Sequence, residues 1–376
     1  MKKLLIDVLI ALTPALAWAG DQGVTPAEIR LGASQVLSGP LGSQTREYGA
    51  GARLYFDHVN KQGGVYGRTI SYKTVDDGFD VKVSVENTRK LIEDDKVFMI
   101  FNNTGTGHVA AILPLLAQTR TIDFGPVTGA TSLRDKFNQH LFHVRASYAN
   151  EARKMASQMR QIGITRIVAF YQDDVFGKTL LNEIRQAMAA EKLAIAAEVK
   201  VDPNKPDFAA AARAAEAAQP QAVVMGTAGT TFPLFVKAMR ETSARPSFYG
   251  FSVASLDVLN KDLGPAAQGI ILAQIMPSLR STSIPVVAEY LSLLRERAPE
   301  AVPSASQFDG FVHAKVLVEG FQRAGRNLGT ESFIKAMEAS GEIAFGRFTA
   351  QYSPQSHSGS SYVELAIIDG SGRLRY

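Results

Sequence analysis

The chain has 376 residues, of which 46% are hydrophobic and 20% charged, a composition typical of a globular protein and too apolar for a disordered one. Its formal charge of +4 is spread along the chain without a basic stripe, so we expect no nucleic-acid partner. Cysteine is absent, which excludes disulfides, thiol catalysis and thiolate metal sites, and the length suffices for two lobes with separate cores.

Residues 1–19 have the pattern of a cleavable secretory signal peptide. Lys2 and Lys3 precede a mostly apolar run over 4–16, and Ala17-Trp18-Ala19 offers small residues at the cleavage site. The run is shorter than the roughly 20 residues that a membrane-spanning helix needs. The pattern therefore predicts export to a periplasm and cleavage after Ala19. Because no cysteine can carry a lipid, we do not expect a lipoprotein.

From residue 29 onward, apolar runs of strand length alternate with segments of helical periodicity. The predicted strands are 29–36, 69–75, 97–101, 121–124, 141–144, 166–171, 194–199, 222–225, 247–251 and 269–274. The predicted helices between them are 49–60, 81–92, 151–162, 179–191, 208–218 and 232–241. This alternation predicts doubly wound parallel sheets with helices on both faces, and the number of strands favours two α/β lobes over a single sheet.

The pattern changes after residue 285. Three helical segments, 285–298, 308–324 and 332–339, are followed by two strand-like runs, 345–351 and 362–368. No long Pro/Gly/Ser linker separates the halves of the chain. We therefore expect short crossovers between the lobes, with the helical tail returning to the first lobe.

Two predicted strands end in small polar residues just before a helix-like stretch. The first continues into Asn103-Thr104-Gly105-Thr106, and the second into Val127-Thr128-Gly129. At the carboxyl end of a parallel strand, such residues present backbone N–H groups and hydroxyls that can hold an anion. The two runs together predict a cradle for a carboxylate, with nothing nearby that could do chemistry on it.

Enzyme and metal signatures are missing. Gly105 and Gly107 lack the third glycine of a dinucleotide motif, residues 250–254 lack the final glycine of a nucleophile elbow, and there is no P-loop. The HxxH formed by His140 and His143 has no third ligand nearby. We therefore predict a binding protein with no catalytic residue, no metal and no cofactor.

Several motifs occur in a particular order along the chain: Ser38-Gly39-Pro40, Val59-Asn60-Lys61-Gln62-Gly63-Gly64-Val65-Tyr66-Gly67-Arg68, Asp76-Asp77, the two cradle runs, Tyr171-Gln172-Asp173-Asp174-Val175-Phe176-Gly177, and Phe248-Tyr249-Gly250. In this order the chain resembles the type I periplasmic binding proteins, in the branched-chain amino acid (Leu/Ile/Val-binding) family of ABC importers. The resemblance implies two Rossmann-like lobes joined by a three-crossover hinge, with the ligand between them.

The resemblance also implies where the lobes and crossovers fall. The crossovers should lie near 142–146, 273–279 and 348–353. The first lobe would then comprise 24–143 plus 280–348, and the second 144–279 plus 349–376.

Matching the family's motifs to this sequence implies a ligand site drawn from both lobes. It would consist of Gln44, Asn103, Thr104, Gly105, Thr106, Val127, Thr128 and Gly129 from the first lobe, and Phe176, Ala228 and Ser252 from the second. Arg145 and Tyr148 sit where the first crossover should leave the first lobe. Arg145 either binds a second anionic group or anchors the hinge to a helix C-terminus, and the sequence leaves both roles open.

Ser252 is the main departure from the family pattern. Leucine-type members place a Glu after the Phe-x-Gly strand, where it neutralises the ligand's α-ammonium. A serine replaces that charge-assisted pair with a neutral hydrogen bond, a loss on the order of 1–3 kcal/mol. We therefore expect an acid with a neutral aliphatic or aromatic tail, or an amide-like solute, unless Asp123, Asp173 or Asp174 supplies the missing charge.

These patterns predict a monomeric periplasmic receptor that closes on a small carboxylate-bearing solute and docks on an inner-membrane ABC permease. The same fold also serves as a ligand-sensing module that feeds a signalling receptor, which is the alternative function. The export signal argues against a cytoplasmic regulator.

Overall fold

The first part of the chain forms a parallel sheet. The structure is a computed structural model that describes residues 21–376, and the predicted signal peptide, residues 1–19, lies outside the described residues. The elements are β1 (Glu28–Gln35), α1 (Gly42–Lys61), β2 (Thr69–Asp76), α2 (Val81–Glu93), β3 (Met99–Phe101), α3 (Thr106–Thr119), β4 (Ile122–Phe124) and β5 (Leu141–Phe142). The strand order is β2-β1-β3-β4-β5, and all neighbours run parallel.

The chain then crosses to a second sheet through residues 143–147. The elements that follow are α4 (Tyr148–Gln161), β6 (Ile167–Gln172), α5 (Val175–Ala190), β7 (Ile195–Val201), α6 (Phe208–Ala217), β8 (Ala222–Gly226), α7 (Thr231–Arg240), β9 (Ser247–Gly250), α8 (Leu256–Leu263) and β10 (Ile271–Gln274). These five strands also pair in parallel.

The last part of the chain contributes to both lobes. Its elements are α9 (Pro285–Arg297), α10 (Ala305–Ala324), α11 (Thr330–Glu338), β11 (Glu342–Phe345), β12 (Phe348–Ser353), β13 (Ser356–Gly359), β14 (Glu364–Ile368) and β15 (Leu374–Arg375). Strands β14 and β15 complete a seven-stranded sheet of order β15-β14-β10-β9-β8-β6-β7, in which β14 pairs antiparallel with both β10 and β15. Strands β11, β12 and β13 form a small antiparallel sheet of their own.

The two-lobed α/β fold expected from the sequence is confirmed. Both faces of each large sheet carry an apolar core, as a doubly wound fold requires. Strand β3 illustrates this arrangement, since Met99 and Phe101 face one core while Ile100 faces the other. Among residues 21–376, no helix is both long enough and apolar enough to span a membrane.

The predicted position of the third crossover is wrong. Residues 348–353 form β12, and Phe348, Ala350 and Tyr352 pack into the core of the first lobe because alternate side chains of that strand point towards it. The next strand stays with the first lobe as well, since the His143 N–H donates to the His357 carbonyl oxygen at 2.8 Å. The third crossing lies between β13 and β14, so residues 349–359 belong to the first lobe.

Helices α1 and α10 cross closely in the first lobe. A Cβ atom added at Gly51 would lie 1.7 Å from the Gln307 carbonyl oxygen, and one added at Gly310 would lie 2.0 Å from the Tyr48 carbonyl oxygen. Only glycine allows this approach of the two backbones. The crossing places Tyr48 beside Asp309, next to the hinge.

Candidate ligand-binding site

The two polar runs predicted to form a cradle lie side by side, and we call residues 103–106 and 127–129 the paired loops. Thr104 and Val127 form a parallel β-bridge, and the Val127 N–H donates to the Asn103 carbonyl oxygen at 2.8 Å. The Thr106 and Thr128 hydroxyls are 2.8 Å apart. Parallel strands β3 and β4 end at the same edge of the sheet, which brings these residues together.

Several polar groups of the paired loops are buried without a partner. Both side-chain atoms of the Asn103 amide are buried and have no hydrogen-bond partner among the described residues. Gly105 begins α3 with φ at +103°, and no side chain caps the helix there. The N–H groups of the first turn of α3 therefore lack a side-chain cap, and an uncapped helix N-terminus suits an anionic group.

The second lobe covers the paired loops. The Tyr148 N–H donates to the Gly129 carbonyl oxygen at 2.7 Å, and the Tyr148 ring lies so close that a Cβ atom added at Gly129 would be 2.7 Å from its Cδ1. Phe176 packs edge-on against Tyr148, with ring centroids 6.1 Å apart. Phe176 lies within the first turn of α5.

A cluster of charged side chains lies beside the hinge, and we call Arg145, Glu151, Ser252 and Asp309 the hinge cluster. Arg145 Nη2 donates to Ser252 Oγ at 2.6 Å. Ser252 donates through both its N–H and its hydroxyl to the Glu151 carboxylate, at 2.7 and 2.9 Å. Arg145 Nη1 lies 3.8 Å from Asp309 Oδ2. The cluster thus joins α10 of the first lobe to α4 and the β9–α8 loop of the second.

Burial and charge set the protonation of the hinge cluster. Burial raises the pKa of Glu151, while Arg145 and the two Ser252 hydrogen bonds act in the opposite direction. Burial would also raise the pKa of Asp309, but the neighbouring His313 and Arg145 lower it below its ordinary value. Burial alone would lower the pKa of the Arg145 guanidinium, but Asp309 and the other neighbours raise it. Arg145 therefore keeps its charge inside the protein.

His313 links the hinge cluster to the paired loops. Its Nε2 lies 3.0 Å from Asp309 Oδ1, and its Nδ1 lies 2.7 Å from Asn102 Oδ1. Asn102 directly follows β3 and has φ at +58°, a left-handed conformation that asparagine tolerates better than most residues. The residue directly before the paired loops is thus held by the same helix that carries Asp309.

A cavity of about 400 Å³ opens next to the hinge cluster, between the two lobes. Its lining includes Ser252 and the buried Tyr48 and Asp309, together with the exposed charged residues Asp257, Arg280 and Arg373. Its apolar wall consists of Ala254, Leu256, Leu272, Ile275, Met276, Leu279, Phe308 and Leu374. This volume falls within the range of ligand pockets, about 300–1,000 Å³.

The predicted site residues divide into two groups. The paired loops, Tyr148 and Phe176 meet on one side, whereas Ser252 alone of the predicted residues lines the cavity. Gln44 is half-buried on α1 and does not line it. Ala228 is held by its N–H, which donates to Gln172 Oε1 at 2.8 Å. The roles of these residues in binding stay predictions.

The three acids that could have supplied the charge of a Glu at position 252 have other surroundings. Asp173 pairs with Lys178 and Lys200 at 2.8 and 2.7 Å, and Asp174 caps α5 through the Gly177 N–H. Asp123 is buried in β4, and neither carboxylate oxygen has a hydrogen-bond partner among the described residues.

Sequence reasoning missed Glu151, Asp309 and Tyr48. Tyr48 could have been found, because it lies one helical turn after Gln44 on the same face of α1. Asp309 and His313, four residues apart in the otherwise apolar start of α10, are a second signal that polar groups meet inside the protein. Nothing in the sequence connects Glu151 to Ser252. Within residues 21–376, no group of three or more His, Asp or Glu side chains is arranged to hold a metal ion.

Comparison with known proteins places this architecture in a family. A family model described as periplasmic binding protein matches residues 28–373. A Leu/Ile/Val-binding protein homolog 7 from Brucella abortus (strain 2308) is 22% identical over 333 residues, covering 84% of this chain and 82% of the relative.

Solved structures agree over nearly the whole chain. A substrate-binding periplasmic protein from Ralstonia solanacearum has a TM-score of 0.85 and 32% identity, covering 92% of this chain and 99% of its own. An extracellular ligand-binding receptor from Verminephrobacter eiseniae has a TM-score of 0.86 and 25% identity, covering 93% and 100%. The chain therefore belongs to the type I periplasmic binding proteins, in the branched-chain amino acid family.

Proposed function

We propose that the protein captures a small solute with a carboxylate and a mainly apolar body in the cleft between its lobes, and delivers it to an ABC permease in the inner membrane. The family consists of ABC-type substrate-binding proteins, which capture small molecules in the periplasm. The observation that supports the proposal is the pair of loops at the ends of β3 and β4, which combine an uncapped helix N-terminus, two threonine hydroxyls in contact and an unpartnered buried amide.

The proposal includes a motion. Tyr148 belongs to the second lobe and the paired loops to the first, so opening the hinge withdraws Tyr148 from Gly129 and exposes the loops. Closure on a ligand then excludes water from around its carboxylate, which strengthens each hydrogen bond to it. The cavity beside Ser252 and Asp309 offers room for the apolar body of the ligand.

A thermal-shift panel tests the carboxylate. We expect branched, straight and aromatic carboxylates to raise the melting temperature, and amides of the same skeletons to have little effect. A ligand at 100 times its Kd adds about 2.7 kcal/mol to the free energy of unfolding. Binding of the amides in preference to the acids would contradict the proposal.

A matched pair of variants tests the paired loops. Thr128→Val removes the hydroxyl that contacts Thr106, and we expect the affinity for the best carboxylate to fall about tenfold, the loss of one hydrogen bond to a charged group. Thr119→Val is the control, since Thr119 lies at the far end of α3 and bonds to the Leu115 carbonyl oxygen. Equal losses of affinity in the two variants would mean that the loops do not hold the ligand.

A further inference from the structure

The hinge cluster contains two acids that already have partners. Glu151 is fully buried, and Ser252 donates to both of its carboxylate oxygens. The Ser252 hydroxyl has a single hydrogen, which it gives to Glu151, while its oxygen accepts from Arg145. Ser252 therefore connects the arginine to the glutamate without carrying a charge of its own.

The second acid, Asp309, lies beside basic side chains without the hydrogen bonds that Glu151 accepts. Asp309 faces Arg145 through one oxygen, at 3.8 Å, and His313 through the other, at 3.0 Å. Arg134 lies on the other side of the crossover and donates to the Arg145 carbonyl oxygen at 3.1 Å. Arg145 thus lies between the two acids, linked to Glu151 through Ser252 and facing Asp309 directly, so both acids already lie beside a buried guanidinium before any ligand arrives.

A ligand that brings its own cation would disturb this balance. Its ammonium would enter a buried region where Arg145 already satisfies the acids, and an uncompensated buried charge is costly. An anionic group meets the opposite situation. Arg145 keeps its Nε and Nη1 without a hydrogen-bond partner among the described residues, although its side chain is fully buried. Buried donors of this kind favour an acceptor oxygen.

We propose that Arg145 supplies, from within the protein, the positive charge that the ammonium of an amino acid would otherwise bring, so that the ligand is a carboxylate without an α-ammonium. The proposal rests on the function proposed above, and it makes Arg145 a specificity-determining residue. It also explains why position 252 carries a serine, because a glutamate there would add a third carboxylate beside Glu151.

Matched ligands that differ only in the ammonium test the proposal on the wild-type protein. The pairs are 4-methylpentanoate with leucine, and 3-phenylpropanoate with phenylalanine, measured by calorimetric titration after any co-purified solute has been removed by partial unfolding and dialysis. The neutral 4-methylpentanamide completes the set. We expect the plain acid of at least one pair to bind about tenfold or more tightly than its amino acid.

Each outcome has a distinct meaning. Amino acids that bind as tightly as the plain acids, or more tightly, overturn the role of Arg145 and leave the carboxylate receptor standing. Binding of the amide alone, or of no carboxylate in this set or in the thermal-shift panel, overturns the proposed function and this inference with it.

Variants at position 145 provide a second test. Arg145→Met removes the internal cation, and we expect the ratio of affinities for acid and amino acid to shift at least about tenfold towards the amino acid, whose ammonium can then pair with the free acids. Arg145→Lys keeps a cation and should keep the preference for the acid. A purely structural role for Arg145 would weaken both ligands alike and leave the ratio unchanged, which would overturn the proposal. If Arg145→Met does not fold, the wild-type comparison decides alone.

Discussion

The hinge cluster and the paired loops are both buried and polar, but they treat their polar groups differently. In the hinge cluster the charges face one another, in a chain from Glu151 through Ser252 and Arg145 to Asp309, although Arg145 keeps two N–H groups without a hydrogen-bond partner among the described residues. In the first lobe, the Asn103 amide and the Asp123 carboxylate are equally buried but have no hydrogen-bond partner among the described residues.

This difference separates two uses of buried polarity. Groups that satisfy one another hold a particular geometry, here the relative placement of the two lobes at the hinge. Groups that are left unsatisfied lower stability and call for an explanation, which in the paired loops is the proposed ligand. The comparison predicts opposite responses to substitution in the two regions.

The largest effect is expected from breaking the hinge cluster. Glu151→Met removes the acid that is linked to Arg145 through Ser252 and leaves the buried arginine less compensated, and removing one partner of a buried charge pair costs about 3–5 kcal/mol. The matched control is Glu198→Met, which breaks the surface pair with Arg185 and should cost no more than about 1 kcal/mol. The shift of the urea midpoint measures both changes. Similar shifts in the two variants would contradict the distinction.

The next effect has the opposite sign and depends on pH. Burial raises the pKa of Asp123 well above its ordinary value, so the folded protein holds a proton that the unfolded chain releases above about pH 4. The free energy of unfolding therefore falls as pH rises through this window, by up to about 1.4 kcal/mol per pH unit from this group. Asp123→Asn removes that loss, and we expect the variant to gain stability over the wild type as pH rises.

Melting temperatures at several pH values between 4 and 8 measure this gain. Asp57→Asn, at an exposed position on α1, is the control and should leave the profile close to that of the wild type. A constant difference between Asp123→Asn and the wild type at all pH values would show that Asp123 is ionised in the folded protein.

The smallest effect is expected at the contact between the lobes. Gly129→Ala would place a Cβ atom 2.7 Å from Tyr148 Cδ1 and 2.8 Å from its backbone nitrogen, and such overpacking costs about 1–3 kcal/mol. The cost should fall at the lower end, because opening the lobes relieves the clash. Gly107→Ala is the control, since its Cβ would meet only Val81 Cγ2 at 3.7 Å. Small-angle scattering should show that the Gly129→Ala variant is folded but more open than the wild type.

Much of the fold could be predicted from the sequence because its signals are local. The alternation of apolar runs and helical segments identified ten parallel-type strands, and the small polar residues after β3 and β4 indicated that two loops would meet. Both follow from rules that act over a few residues or between neighbouring strands.

The hinge cluster could not be predicted for the opposite reason. Residues 145, 151, 252 and 309 come together only through the crossovers, and no local pattern links Glu151 with Ser252. The third crossover was misplaced because the strand 348–353 has the same alternating pattern whichever lobe it packs against. In both cases the information lies in packing between distant segments.

The crossing of α1 and α10 has a consequence for how the chain folds. Gly51 and Gly310 bring the two backbones into contact, so the core of the first lobe cannot close until the ribosome has made α10 and the strands after it. The second lobe likewise waits for β14, close to the C-terminus. Both lobes therefore depend on segments near the end of the chain, so their cores are completed only late in synthesis.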